Sequence, residues 1–154
     1  MSRAREVHLA KSDADIERCF SVMVQLRSHL TPDVFVEQVK RQTKDGYMLA
    51  FVEEDNAVKA VAGFRIMEML LHGRFLYVDD LVTDSRDRSR GHGALLFTWL
   101  VRFAEQNNCK RLDLDSGVQR DGAHRFYFQQ GMHISAYHFA IEITHSKALA
   151  SRYP

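Results

Sequence analysis

A mixed α/β fold, with helices layered on a twisted sheet, is what the order of elements in this sequence predicts. Three observations carry the expectation. Short runs of strand character are interspersed with amphipathic runs of helical period along the whole chain. No linker, internal repeat or low-complexity stretch divides them. One strand-like run, FLYVDDLVTD, passes directly into a helical run through the glycine-containing turn DSRDRSRGHGA, Asp84 to Ala94. At 154 residues the chain is expected to form one domain over 1–154, large enough to bury roughly 70% of the surface it exposes when unfolded.

EVHLAKS reads as a short first strand, and Ser12 or Asp13 is placed to cap the helix that follows, with Ile16, Cys19, Phe20, Met23, Leu26 and Leu30 along one side. Thr31-Pro32-Asp33 restarts the pattern. Proline in a first helical turn lacks only an N–H that has no helical partner, so a second helix is expected to run to about Lys44, where Asp45-Gly46 ends it. YMLAFVEED and AVKAVAGFRIMEML are two strand runs joined by a polar Asp-Asn turn, and FLYVDDLVTD is the next strand. Beyond the glycine turn, Leu95, Leu96, Trp99, Leu100 and Phe103 recur at helical spacing, with Arg102, Glu105 and Gln106 on the wetter side. RLDLDSG then reads as a strand, DGAHRFYFQQG as a short helix closed by Gly131, and SAYHFAIEIT as a last strand.

The junction between Asp84 and Ala94 has the chemistry of an anion site. Gly91 and Gly93 let the backbone turn tightly and approach a ligand closely. The helix start leaves N–H groups without intrahelical acceptors at the positive end of the helix dipole. Arg88 and Arg90 add charge able to reach phosphate oxygens. His92, between the glycines, is expected to offer chiefly its backbone N–H, so that its ring matters little. The turn contains neither the G-x-G-x-x-G of a dinucleotide fold nor the lysine of a P-loop. Taken alone, it reads equally well as a plain connection.

An arginine-led glycine turn in the second half of a small α/β chain resembles motif A of the GCN5-related N-acetyltransferase family. A second likeness lies in the helix after the fifth strand. There the family pattern N-x-x-A-x-x-F-Y-x-x-x-G-F is matched by Arg120, Ala123, Phe126, Tyr127, Gly131 and Met132, with Arg120 and Met132 departing from the usual asparagine and aromatic. The run from Arg120 through AHRFY to Gly131, followed by His138-Phe139, is similar to aminoalkylphosphonate N-acetyltransferases. The resemblance implies a central twisted, mixed, mostly antiparallel sheet flanked by helices. It also implies acetyl-CoA as cosubstrate, held by Leu81, Val82, Thr83, Arg88, Ser89, Arg90, Gly91, His92, Gly93 and Ala94. The implied activity is acetyl transfer to a primary amine of a small molecule, with a protein or peptide N-acetyltransferase, or a non-catalytic acyl-CoA sensor, as alternatives.

Acetyl transfer to an amine needs the neutral nucleophile, whereas a free alkylamine with a pKa of about 10.4 is mostly ammonium at neutral pH. Asp79 and Asp80, near the end of the strand before the turn, are the candidate bases. In a regular strand they point to opposite faces, so one of them is expected to face the site. An acidic residue before Leu-Val of this strand matches the family, which selects Asp80, acting directly or through a water. The competing reading makes both aspartates surface charges or arginine ligands, and a carboxylate also suits simple binding of an ammonium. Tyr127 is assigned by motif position as the acid for the leaving thiolate, and a backbone N–H at Leu81 or Val82 as the oxyanion donor. The first two helices and the segments Ser28–Asp33 and Met67–His72 are candidates for the acceptor pocket.

Composition narrows the classes. A hydrophobic fraction of 45%, 27% charged residues and a formal charge of +1 are ordinary for a globular domain and give no general drive toward nucleic acid or membrane. Arginines between Arg86 and Arg90 are interleaved with acid, which weakens a nucleic-acid reading. No apolar run approaches bilayer length, and the N-terminal residues lack a signal-peptide core, so a cytoplasmic location is expected. Cys19 and Cys109 form no metal or disulfide spacing, and the histidines, His29, His72, His133 and His138 among them, form no metal motif; no metal is expected. The apolar run Met67-Glu68-Met69-Leu70-Leu71 is a candidate homodimer contact.

Overall fold

A polar cap opens the first helix. Ser12 Oγ accepts from the Asp15 N–H at 3.1 Å while the Asp15 carboxylate accepts from the Ser12 N–H at 3.4 Å, which satisfies two otherwise loose amides. The computed structural model, which describes residues 4–144, has the order β1 (Glu6–Leu9), α1 (Asp13–Leu26), α2 (Pro32–Thr43), β2 (Met48–Glu54), β3 (Ala57–Met69), β4 (Gly73–Thr83), α3 (His92–Gln106), β5 (Leu112–Leu114) and α4 (Asp121–Gln129). A 3-10 turn at Ser85–Asp87 separates β4 from α3. The chain forms two compact units, one ending at Gln119 and one beginning at Arg120. The first contains the sheet with α1, α2 and α3; the second contains α4.

The five strands lie in sequence order, β1-β2-β3-β4-β5. Neighbours from β1 to β4 are antiparallel, and β5 is parallel to β4, as a strand must be when a crossover helix, here α3, returns the chain. This is the mixed, mostly antiparallel α/β sheet expected from the sequence. Asp55 and Asn56 close the β2–β3 hairpin at φ 52° and 62°, left-handed values that Asp and Asn tolerate. Pairing to β5 spans only Leu76, Val78 and the residue between them, while β4 continues to Thr83 with no β5 partner beside it.

Helices on both faces explain why β2 is apolar without alternation. Leu49 and Phe51 join Ile16, Cys19 and Met23 of α1 and Phe35 and Val39 of α2. Ala50 and Val52, on the opposite face, join Leu96, Leu100 and Ala104 of α3. In that second layer small residues Ala50, Ala60 and Ala62 lie alongside bulky rings: Phe64 meets Trp99 and Phe103 edge-on, at centroid distances of 5.9 and 5.2 Å. Cys19 is fully enclosed in the first layer, and burial pushes its thiol up to about 12.

One expected element is not formed. Residues 132–144 carry no strand, and Tyr137, Phe139, Ile141 and Ile143 of SAYHFAIEIT are exposed. Alternation is a property of one segment, whereas a strand also requires a ladder partner, which no sequence period specifies. Among the described residues no helix is long and apolar enough to cross a membrane.

Candidate active site

The two aspartates of β4 do not alternate. Gly63 of β3 pairs with Asp80 and Phe64 with Val78, leaving Asp79 as an extra, bulged residue. The expectation of opposite faces therefore fails, because the bulge brings both carboxylates into one cluster. Asp79 accepts from Arg65 Nε at 3.0 Å and from Arg65 Nη2. Asp80 accepts from Arg27 Nε at 2.8 Å through Oδ1 and from the Tyr47 hydroxyl at 2.8 Å through Oδ2. Arg27 Nη2 also donates to the Asp79 carbonyl, and the Arg65 guanidinium lies over the Tyr47 ring at 5.5 Å. Burial, followed by the neighbouring Asp80 charge, holds the Tyr47 phenol well above its ordinary range, so it remains a donor.

Gly63 makes this arrangement possible. A Cβ there would lie 1.8 Å from Tyr47 Oη and 2.6 Å from Asp80 Oδ2. Arg27, Tyr47, Arg65 and Gly63 were not singled out by sequence, although a glycine inside a strand is a recognised sign of a bulge or close approach. A cavity of about 280 Å³ opens beside Asp80, with Arg27, His29, Leu30, Gln38, Gln42 and Tyr47 in its wall. Gln38 donates to Gln42, one turn on along α2, at 3.0 Å. Of the two suggested acceptor segments, Ser28–Asp33 contributes His29 and Leu30, while Met67–His72 forms the far end of the β3–β4 hairpin, where Leu70 and Leu71 are exposed.

Three residues after Asp80, β4 ends and the glycine turn begins. Ser89 and Gly91 have φ of 64° and 87°, left-handed values of the kind found in backbone nests that bind anions. Gly91 is the N-cap of α3, and no side chain caps that helix. The turn neutralises its own acids. Buried Asp84 takes three bonds from Arg86, which hold its carboxyl far below the usual range. Buried Asp87 accepts from Lys59 Nζ and Arg90 Nη1, both at 3.0 Å, and the Lys59 bond does most to lower its pKa. Arg88 is exposed and has no ion pair among the described residues. Uncapped amides with one uncommitted guanidinium fit a diphosphate.

His92 departs from expectation. Its ring is fully buried, and Nε2 lies 2.7 Å from Glu54 Oε2 at the end of β2. The histidine bond, then that from Arg5, lowers the Glu54 pKa. His92 is thus a packed structural contact as well as a source of a backbone N–H. Leu81, Val82 and Thr83 lie on the part of β4 beyond its β5 pairing, half-buried, and Gly93 and Ala94 lie in the first turn of α3. Tyr127 belongs to α4, in the second unit, where burial raises its phenol and Arg120 offsets part of that rise. Among the described residues, no group of three or more His, Cys, Asp or Glu side chains is placed to hold a metal.

Residues 14–132 match the model of the acetyltransferase (GNAT) family. The chain belongs to that family. It is 31% identical over 122 residues to the uncharacterized N-acetyltransferase YhdJ of Bacillus subtilis strain 168, covering 78% of this chain and 86% of that protein. Its fold is shared by a ribosomal-protein-alanine N-acetyltransferase from Brucella melitensis biovar Abortus 2308, at TM-score 0.79 and 15% identity over 92% of this chain and all of that one. It is also shared by the aminoglycoside N-acetyltransferase AAC(6')-Iy in complex with CoA, at TM-score 0.78 and 12% identity over 92% of this chain and 97% of that one. The family membership marks the protein as an N-acetyltransferase. The two folds, one acting on a protein and one on an antibiotic by their names, leave the acceptor to this chain's own residues.

Proposed function

We propose that the protein transfers the acetyl group of acetyl-CoA to a primary amine of a small molecule. The observation that carries this reading is a single strand: β4 presents two arginine-braced carboxylates, one of them, Asp80, in the wall of a cavity, and then enters an uncapped, positively charged turn. Acetyl-CoA supplies the acetyl group as a thioester. Arg88 and the amides from Ser89 to Ala94 hold its diphosphate, with Arg90 shaping the turn through Asp87. Leu81, Val82 and Thr83 offer backbone groups along the strand edge that β5 leaves open, and an N–H of Leu81 or Val82 faces developing negative charge on the acetyl oxygen.

Asp80 receives the amine. Each of its oxygens accepts one hydrogen bond and keeps a further lone pair, but the Arg27 charge beside it competes with an incoming ammonium. Arg27 yields, since its side chain is 41% exposed while Tyr47 is buried. With Arg27 turned aside, Asp80 takes the proton directly or through a water. Tyr127 gives a proton to the departing sulfur; a phenol with a raised pKa keeps that proton at neutral pH. The cavity volume, about 280 Å³, favours a compact monoamine or the end of a longer one. The exposed residues Met69, Leu70 and Leu71 support a homodimer, which analytical ultracentrifugation tests.

The test is CoA release measured over primary amines, including aminoalkylphosphonates, polyamines, aminoglycosides and peptide N-termini, beside calorimetry with acetyl-CoA. Turnover of a small monoamine is expected. Preferred turnover of peptides would shift the reading to a protein acetyltransferase, and binding without turnover to a sensor. Tyr127→Phe should reduce turnover by about tenfold to a hundredfold with much less effect on acetyl-CoA binding. Full turnover in this variant would remove Tyr127 from the reaction.

A further inference from the structure

The anion turn is fastened from outside by a carboxylate with no part in the chemistry described above. Glu54, at the end of β2, is nearly buried and engages two partners. Its Oε2 meets His92 Nε2 at 2.7 Å, and its Oε1 accepts from Arg5 Nε at 3.1 Å. Arg5 also donates from Nη1 to the carbonyl of Arg90. The residues on both sides of Gly91 are therefore tied to one carboxylate, His92 directly and Arg90 through a guanidinium. Gly91 needs this help because its own conformation, φ 87°, is held by no side-chain cap.

His92 Nδ1 is buried and has no hydrogen-bond partner. The ring thus makes its polar contact through Nε2 alone, and that contact orients the first residue of α3. We propose that Glu54, His92 and Arg5 are positioning residues that pre-set the amides of the anion turn for the diphosphate of acetyl-CoA. The proposal rests on the reading of that turn as the acetyl-CoA site. Without the tie, residues around Gly91 must be ordered when the ligand arrives, and each backbone residue so fixed costs conformational entropy. The penalty falls on cofactor affinity and leaves the amine side untouched.

The experiment measures acetyl-CoA dissociation constants by calorimetry, with KM for each substrate and kcat, for wild type, His92→Leu, His92→Gln and Arg5→Met. Leucine fills the space but cannot reach Glu54 with a donor. Glutamine places an amide nitrogen as many bonds from Cγ as Nε2 is, so it restores the contact. His92→Leu should weaken acetyl-CoA binding about tenfold or more, and His92→Gln should recover most of that loss. Arg5→Met, at a partly exposed position where folding is safe, should raise the KM for acetyl-CoA severalfold with little change in kcat or in the KM for the amine. Wild-type affinity in both folded His92→Leu and Arg5→Met would overturn the proposal, as would equal losses in His92→Leu and His92→Gln. Should His92→Leu not fold, an unchanged KM for acetyl-CoA in Arg5→Met suffices to overturn it. If wild type itself gives no acetyl-CoA binding, the reading of the turn falls first, a result distinct from equal binding by all four proteins.

Discussion

The aspartate step and the anion turn are neighbours on one strand, yet they are stabilised in opposite ways. At the turn, part of the charge is settled between residues close in sequence, Arg86 with Asp84 and Arg90 with Asp87, and Lys59 of β3 adds a distant partner to Asp87. At the aspartate step every partner comes from a distance: Arg27 from the end of α1, Tyr47 from the start of β2 and Arg65 from β3. The turn can form its two local ion pairs as soon as its own residues meet, and Lys59, Arg5 and Glu54 complete its fastening once the sheet is in place. The step forms only when the sheet and the first helix are assembled around Gly63. A motif with local pairs of its own keeps some of its order when distant contacts change, while a cluster built wholly from long-range contacts is specific but fragile.

The largest expected effect tests the step directly. Asp80→Asn keeps the shape but removes the charge and turns one of the two acceptor oxygens into a donor, so turnover should fall by about 10² to 10⁴, and the residual rate should climb with pH as more free amine becomes available. Asp79→Asn should do much less, because its carboxylate is held in a two-pronged contact by Arg65. The bulge sharpens this test. With both carboxylates in one cluster, comparable losses in the two variants would mean that the pair works as a unit, and pH profiles of the rate for both proteins decide it.

Gly63→Ala should come next. The added methyl cannot coexist with the Tyr47 hydroxyl, so the ring must shift away from Asp80. Overpacking of this kind costs about 1–3 kcal/mol, visible in thermal unfolding, and turnover should fall along with it while acetyl-CoA affinity at the turn is retained. An alanine variant of wild-type stability and activity would show that the cluster adapts, contrary to its long-range character.

The smallest effect is at the turn. Asp84→Asn removes the buried charge and one of the two oxygens that accept three bonds from Arg86, and should lower stability by about 1–3 kcal/mol at pH 7. The folded pKa of Asp84 is depressed, so its contribution is present above the unfolded carboxylate value and lost as pH falls through the folded one. The gap between wild type and variant should thus narrow progressively below about pH 4. Denaturant unfolding at several pH values checks this, and a gap that widens in acid would refute the assignment.

The same division explains what the sequence revealed. The turn was legible because its glycines, its arginines and the helix start are contiguous, and helix caps such as Ser12 likewise depend on a four-residue pattern. The aspartates were found, but their geometry was not, since a bulge depends on register against β3 and leaves only an in-strand glycine as its trace. The role of the His92 ring was hidden for a similar reason: Glu54 is distant in sequence. SAYHFAIEIT shows the limit from the other side, with the period of a strand and no ladder among the described residues. Packing partners are set by the whole chain, and a pattern read along one segment omits them.

Cys19 gives the α1 layer a built-in clock. Its sulfur is enclosed, and a thiol raised to about 12 is almost entirely unionised at neutral pH, so an alkylating reagent can react only when the layer opens and the thiol reaches water. Because Arg27 ends that same helix, the labelling rate of Cys19 measures how often the floor beneath the cavity beside Asp80 comes apart. A compact amine that settles against Asp80 would slow the clock, and its retardation reports occupancy without any turnover being required.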